Sequence, residues 1–166
     1  MESKHSNRPQ GKPESEGASE FLTFTLGAEE YGIDILKVQE IRGYDAVTTI
    51  VNSPPFIKGV VNLRGVIVPI IDLRCRFGQG LTEATPIHVV IIVQVGPRMV
   101  GLLADRVLDI VSFEAHQVQP VPKIAQASRI DFLCGLVTVE NSLIALIDLP
   151  NLLSLPASEV ERTQAN

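Results

Sequence analysis

The chain predicts an all-β fold built of two small barrels joined along an apolar seam, and three observations predict it. β-Branched residues crowd every apolar run, so no long amphipathic helix can be drawn. The runs are short and punctuated by breakers such as Asn-Ser-Pro-Pro at 52–55. The second half of the chain also repeats the first.

The repeat falls in two blocks. FIKGVVNLRGVIVPIIDLRCRFG (56–78) lies over FLCGLVTVENSLIALIDLPNLLS (132–154) at a shift of 76 residues without a gap. Phe56 then meets Phe132, Gly59 meets Gly135, and Ile71-Asp72-Leu73 meets Ile147-Asp148-Leu149. Upstream, YGIDILKVQEI (31–41) lies over VGLLADRVLDI (100–110) at a shift of 69, pairing Gly32 with Gly101, Val38 with Val107, Glu40 with Asp109 and Ile41 with Ile110. Each half carries the same set of short strands, and closing each set into a barrel, or packing the two together, removes exposed edges. Units this small bury too little alone, so an apolar seam is expected between them, with a groove suited to binding.

The elements follow in order. Residues 1–18 form a polar leader with nothing to bury, and 156–166 a similar tail, leaving 19–155 as the folded domain of two interleaved or adjacent subdomains. Phe21–Leu26 alternates as a strand, 27–30 connects a hairpin, and Tyr31–Ile35 returns. Val38–Arg42 and Val47–Val51 are further strands. Gly59–Leu63 and Val66–Asp72 form a hairpin around Arg64-Gly65, with Gly65 supplying the permissive backbone of a tight turn. Pro69 lacks a ladder donor and should stand at an edge or bulge. A helical turn at 73–78 precedes strands at 87–95, 99–104, 107–111, 135–139 and 142–148.

Composition narrows the function. Hydrophobic residues at 45% and charged residues at 20% fit a globular protein with a real core, and a net charge of −5 disfavours a nucleic-acid surface. The leader has no apolar signal-peptide core, and the aliphatic runs are too short to span a bilayer as helices, so a cytoplasmic, uninserted protein is expected. Cys75 and Cys134 allow one disulfide, with free apolar thiols the favoured reading.

Catalytic chemistry is poorly supplied. His5, His88 and His116 stand apart with no nucleophile elbow, zinc spacing or phosphate loop beside them. No catalytic, metal-binding or cofactor-binding residue is assigned. Asp72 and Asp148 recur at equivalent strand ends and read as N-caps. Lys58, Arg64, Arg74 and Arg76 read as a solvated basic face; the alternative, a nucleic-acid surface, lacks the aromatic platform it would use, since the chain has no Trp.

Arg64 is more informative, because its repeat counterpart is Glu140 and the charge therefore belongs to one subdomain's role. If the strands holding them adjoin, a bidentate Arg64–Glu40 pair would fix the outline of that surface; an Arg exposed on a hairpin tip is the plainer alternative. Val38 and Glu40 fall on one strand face, an apolar anchor beside a charge, with Ile41 opposite; Val38 as ordinary core is the competing reading.

LGAEEYGIDILKVQEI, NSPPFIKGVVNLRGVIVPIIDLRCRFG, GLLADRVLDIV and FLCGLVTVENSLIALIDLPNLL, in this order over about residues 20–155, resemble the CheW family of chemotaxis coupling proteins. The Asn-Leu-Arg-Gly turn at 62–65 is the most distinctive block. The resemblance implies two SH3-like five-stranded β-barrel subdomains packed around a shared hydrophobic core, and a non-catalytic adaptor without cofactors. Its implied partners are the cytoplasmic tip of a chemoreceptor, held in the intersubdomain groove, and the regulatory domain of the chemotaxis histidine kinase, at membrane-associated receptor arrays. It further implies a coupling surface of Val38, Glu40, Ile41, Arg64, Val107 and Ile110, and structural glycines at Gly59, Gly101 and Gly135. An adaptor of the same family serving surface motility or development is the alternative. Where many relatives carry Asp-Gly in the second-barrel turn this chain has Glu140-Asn141, which preserves the hairpin because Asn tolerates the same backbone.

Overall fold

The computed structural model describes residues 18–122 and 131–154; the leader, apart from Ala18, and the tail lie outside the described residues. Ten strands are present: β1 Ala18–Leu26, β2 Glu29–Asp34, β3 Val38–Gly43, β4 Ile57–Leu63, β5 Val66–Asp72, β6 Val89–Val95, β7 Arg98–Ala104, β8 Arg106–Glu114, β9 Leu133–Val139 and β10 Ser142–Ile147. Two four-residue helices follow equivalent strands, α1 at Leu73–Arg76 and α2 at Leu149–Leu152. The strands form two five-stranded sheets, ordered β8-β1-β2-β10-β9 and β3-β6-β7-β5-β4.

The two sheets are copies of one another. A shift of 76 places β4, β5 and α1 on β9, β10 and α2, and a shift of 69 places β2 and β3 on β7 and β8. Even the irregularities recur: the ladder slips between Val38 and Glu40 in β3 and between Asp109 and Val107 in β8. The parallel pair Ile70↔Gly101 of one sheet matches Leu146↔Gly32 of the other. Isolated bridges at Thr48↔Val60 and Gln119↔Leu136 then draw the chain beyond β3 and β8 onto β4 and β9, closing each sheet into a barrel.

The repeat does not, however, fold half by half. β3 to β7 make one continuous barrel, which is inserted into a second, discontinuous barrel made of β1, β2 and β8 to β10. The subdomains are therefore interleaved. Sequence similarity shows which segments are equivalent, whereas partner choice depends on where the chain crosses.

Three cores hold this together. Leu63, Val68, Ile70, Val90, Ile92 and Leu103 fill the inserted barrel. Phe113, Val137, Ile144 and Leu146 fill the discontinuous one. The largest core lies between them, where Phe24, Tyr31 and Ile33 meet Leu73, Phe77, Ile91 and Leu102. Fully burying each such side chain is worth about 1.5–3 kcal/mol, so parting the barrels would be strongly unfavourable. Phe24, Tyr31, Phe77 and Phe132 form a chain of ring contacts through this seam at 5.9, 5.3 and 6.0 Å.

Three local expectations are corrected. Val47–Val51 is not a strand: one bridge at Thr48 suffices to close the barrel, and Asn52 at φ 67 turns the chain toward the two prolines. Pro69 stands neither on an edge strand nor at a bulge, since β5 lies between β7 and β4. It is tolerated because the two-residue hairpin makes Val60↔Pro69 a non-hydrogen-bonded pair, and pairing with β7 begins only at Ile70. β8 runs to Glu114, beyond the expected 107–111, because it pairs with β1 as far as Ala18.

Candidate protein-binding surface

Arg64 occupies the first position of the β4–β5 turn at φ 52, and Gly65 the second at φ 90. Two left-handed residues in succession match the twist of a two-residue hairpin, and Asn62 Oδ1 accepts from the Gly65 amide at 2.8 Å to hold the turn. The exposed guanidinium donates to Glu40 Oε1 at 2.7 Å. β3 and β4 end opposite sides of their sheet, and barrel closure brings the two residues together.

The pair is single-contact, not bidentate. Glu40 Oε2 lies instead 3.6 Å from Arg42 Nη1, so one carboxylate bridges two arginines. Arg42 was missed by the sequence reading; its spacing of two residues from Glu40, which puts both on one strand face, was the available signal. With Arg64 73% and Glu40 30% exposed, the pair contributes little to stability and much to the shape and charge of the surface. The equivalent positions in the other barrel are Asp109 and Glu140, two carboxylates that cannot pair. The charge pattern is thus specific to the inserted barrel.

Val38 and Val107 are half-buried and pack against the shared core. Their neighbours Ile41 and Ile110 are 44% and 51% exposed, and Leu108 is exposed as well. The ladder to β6 slips at Gln39, yet exposure still alternates along β3, with Val38 and Glu40 on the less exposed side and Ile41 on the other. A small pocket bounded by Arg42, Val47, Val61 and Val90 opens at the mouth of the inserted barrel, away from the seam.

The glycines serve close approach. A Cβ on Gly59 would lie 2.5 Å from the Thr48 carbonyl oxygen, and one on Gly135 2.5 Å from Val118 Cγ1. A Cβ on Gly101 would meet Ile70 Cδ1 and Val90 Cγ1 at 2.6 and 2.7 Å. Gly65 has open space around it and is needed for its backbone angle alone.

The four basic residues do not form a face. Lys58 donates to the Thr82 carbonyl and Arg64 to Glu40, while Arg74 donates to Asp105 at 2.6 Å. Arg76 lies between the rings of Phe56 and Phe132. This removes the basis of the nucleic-acid reading. His88 stands 3.6 Å from Asp105 and His116 3.1 Å from Glu114, in different surroundings. Both cysteines are free, and burial, with Asp72 or Asp148 nearby, pushes both thiols above their ordinary value. Among the described residues no cluster of His, Cys, Asp or Glu could hold a metal ion, and no helix is long and apolar enough to cross a membrane.

Among the described residues the polar side chains are engaged with turns, crossings and one another, and aliphatic side chains stand exposed on β3 and β8, a surface of the kind a protein-binding scaffold presents. Comparison with known proteins gives the class its family. Residues 20–157 match the CheW-like domain. The chain is 54% identical over 135 residues to the chemotaxis protein CheW of Klebsiella aerogenes, covering 81% of each. It is 37% identical over 145 residues to that of Rhizobium meliloti, covering 87% of this chain and 92% of the relative. The crystal structure of the scaffolding protein TtCheW from Thermoanaerobacter tengcongensis matches with a TM-score of 0.76 at 29% identity, over 93% of this chain and 95% of that one. The chain belongs to the CheW family, and it is a coupling scaffold of chemotaxis.

Proposed function

We propose that this protein couples a chemoreceptor to the chemotaxis histidine kinase by holding the receptor's cytoplasmic helical tip at the barrel junction and the kinase's regulatory domain on the same scaffold. The observation that carries the reading is the pseudo-symmetric placement of Val38 and Val107 against the shared core, with Ile41 and Ile110 exposed on the same two strands. A helix laid there would bury the exposed Ile41 and Ile110, one on each barrel, over strands that Val38 and Val107 anchor to the core, and the Glu40–Arg64 pair nearby would set its register. The protein works in the cytoplasm and is recruited to receptor arrays through these partners.

The scaffold performs no chemistry, so its output is linkage: a shift in the bound receptor alters the kinase because both contact one rigid body. Affinity capture from native extract tests this. The wild-type chain should retain a chemoreceptor and a histidine kinase together, and Arg64→Ala or Glu40→Ala should weaken that assembly without unfolding the protein. Undiminished capture of both partners by both variants would reject the assigned role of the pair.

A further inference from the structure

The chain crosses between the barrels twice, from β2 to β3 through residues 35–37 and from β7 to β8 through the single residue Asp105. The two crossings are held differently. At the first, Asp34 accepts from the Leu36 amide at 3.0 Å, a bond within its own turn. At the second, the Asp105 amide donates to the Thr25 carbonyl of β1 at 3.0 Å, and its carboxylate reaches both barrels. Oδ2 accepts from the Gly27 amide in the β1–β2 turn at 2.7 Å and from Arg74 on α1 at 2.6 Å. Oδ1 faces His88 Nε2, at the entry to β6, at 3.6 Å.

One carboxylate oxygen of a side chain 22% exposed thus receives a donor from the discontinuous barrel and a cationic donor from the inserted one. Charge-assisted hydrogen bonds of this kind are about twice as strong as neutral ones. Their position matters as much as their strength, because Val107 follows Asp105 by two residues and packs on the shared core that Val38 also touches. The seam's two aliphatic walls each begin just after a crossing, and only the second crossing is tied across the barrels by a carboxylate.

We propose that Asp105 is an inter-barrel latch: by binding the Gly27 amide and the Arg74 guanidinium together it holds the angle between the barrels and positions Val107 relative to Val38 across the seam. The latch stands on this geometry alone; its effect on partner binding rests on the reading of the seam given above.

Residual dipolar couplings of the full-length chain, partially aligned, test it. In the wild type one alignment tensor should fit the amides of both barrels. In Asp105→Asn the barrels should require different tensors, the Gly27 amide should exchange with solvent roughly tenfold faster, and chemical shifts within each barrel's strands should stay in place. A single tensor fitting both barrels of the variant would overturn the latch, and would mean that the apolar core and the other inter-barrel contacts, such as Arg98 to the Leu153 carbonyl, set the angle without it. Should Asp105→Asn fail to fold, Arg74→Gln removes only the donor of the inserted barrel and should change the tensors in the same direction. Titration of each variant with a receptor-tip fragment separates the two readings. Changed tensors with unchanged affinity would support the latch and count against the seam as the docking site; unchanged tensors would sink the latch and leave the seam reading untouched.

Discussion

Phe56 and Phe132 hold equivalent places in the two repeats and face each other across one guanidinium: Arg76 Cζ lies 4.3 Å from the first ring centroid and 4.6 Å from the second. The arrangement joins the repeats where their symmetry fails, since the residue equivalent to Arg76 is Leu152, a fully buried core side chain. Arg76 also donates to the Ser154 carbonyl at 3.1 Å.

Replacing Arg76 by Ala should therefore cost about 2 kcal/mol through lost cation–π contact and stem packing. Arg76→Leu should cost less, because an aliphatic side chain still fills the space between the rings. Urea unfolding checks both, and equal losses for the two substitutions would show that the stem packing contributes nothing and the guanidinium carries the whole effect.

The close approaches at the repeated pair of bridges rank the glycine variants. Gly59→Ala drives a methyl into a backbone oxygen and should destabilise by about 3 kcal/mol. Gly135→Ala first meets the Val118 side chain, which can rotate, and should cost about 1–2 kcal/mol. Gly65→Ala meets no atom but is strained at φ 90, for about 1 kcal/mol. Thermal melts that place Gly135→Ala below Gly59→Ala would contradict this ranking.

Equivalent caps should have unequal worth. Asp148 accepts from the Asn151 amide at 3.2 Å and is half-buried, so Asp148→Ala should cost about 1 kcal/mol. Asp72 is fully buried and accepts from the Thr82 amide and hydroxyl at 2.7 and 2.6 Å and, at 3.4 Å, from the Cys75 amide. Its removal strands those donors and leaves Lys58, 4.0 Å away, without its anion. Asp72→Ala should cost about 3 kcal/mol or more, measured by chemical denaturation of the two variants side by side.

Acid should loosen the latch. Burial works to raise the Asp105 pKa, but the Gly27 amide, Arg74 and His88 outweigh it and hold the carboxyl below its ordinary value of 3.8. A depressed folded-state pKa means that the unfolded chain takes up the proton first. The stability this group confers is complete above the ordinary value and is lost as pH falls through the lower folded one. Asp105→Asn should be less stable at neutral pH and flatter in its acid range; an unfolding free energy with the wild-type acid slope would contradict the assignment.

Much of this architecture was legible in the residues, for physical reasons that differ by element. The repeat fixed β4, β5 and α1 against β9, β10 and α2, because a hairpin closed by two left-handed residues and followed by an Asp cap is a local pattern. Arg64 and Glu40 were paired from charge alone, yet the second arginine was overlooked and the geometry overstated, since side-chain approach depends on barrel closure. The interleaving of the barrels was not decided by pattern, because either partner choice satisfies the same strand alternation. The Gln39 and Leu108 bulges, Asp105's two-barrel contact and the dispersal of the basic residues arise from contacts between segments far apart in the chain. No local signal carries them.

The central claim is that the barrel junction is the receptor's docking site. Methyl chemical-shift mapping of the labelled protein with a receptor-tip fragment tests it most directly. The account predicts that the largest changes fall on Val38, Ile41, Val107 and Ile110, on both barrels at once. Changes confined to one barrel, or gathered around the Val47 and Val61 pocket at its mouth, would contradict it.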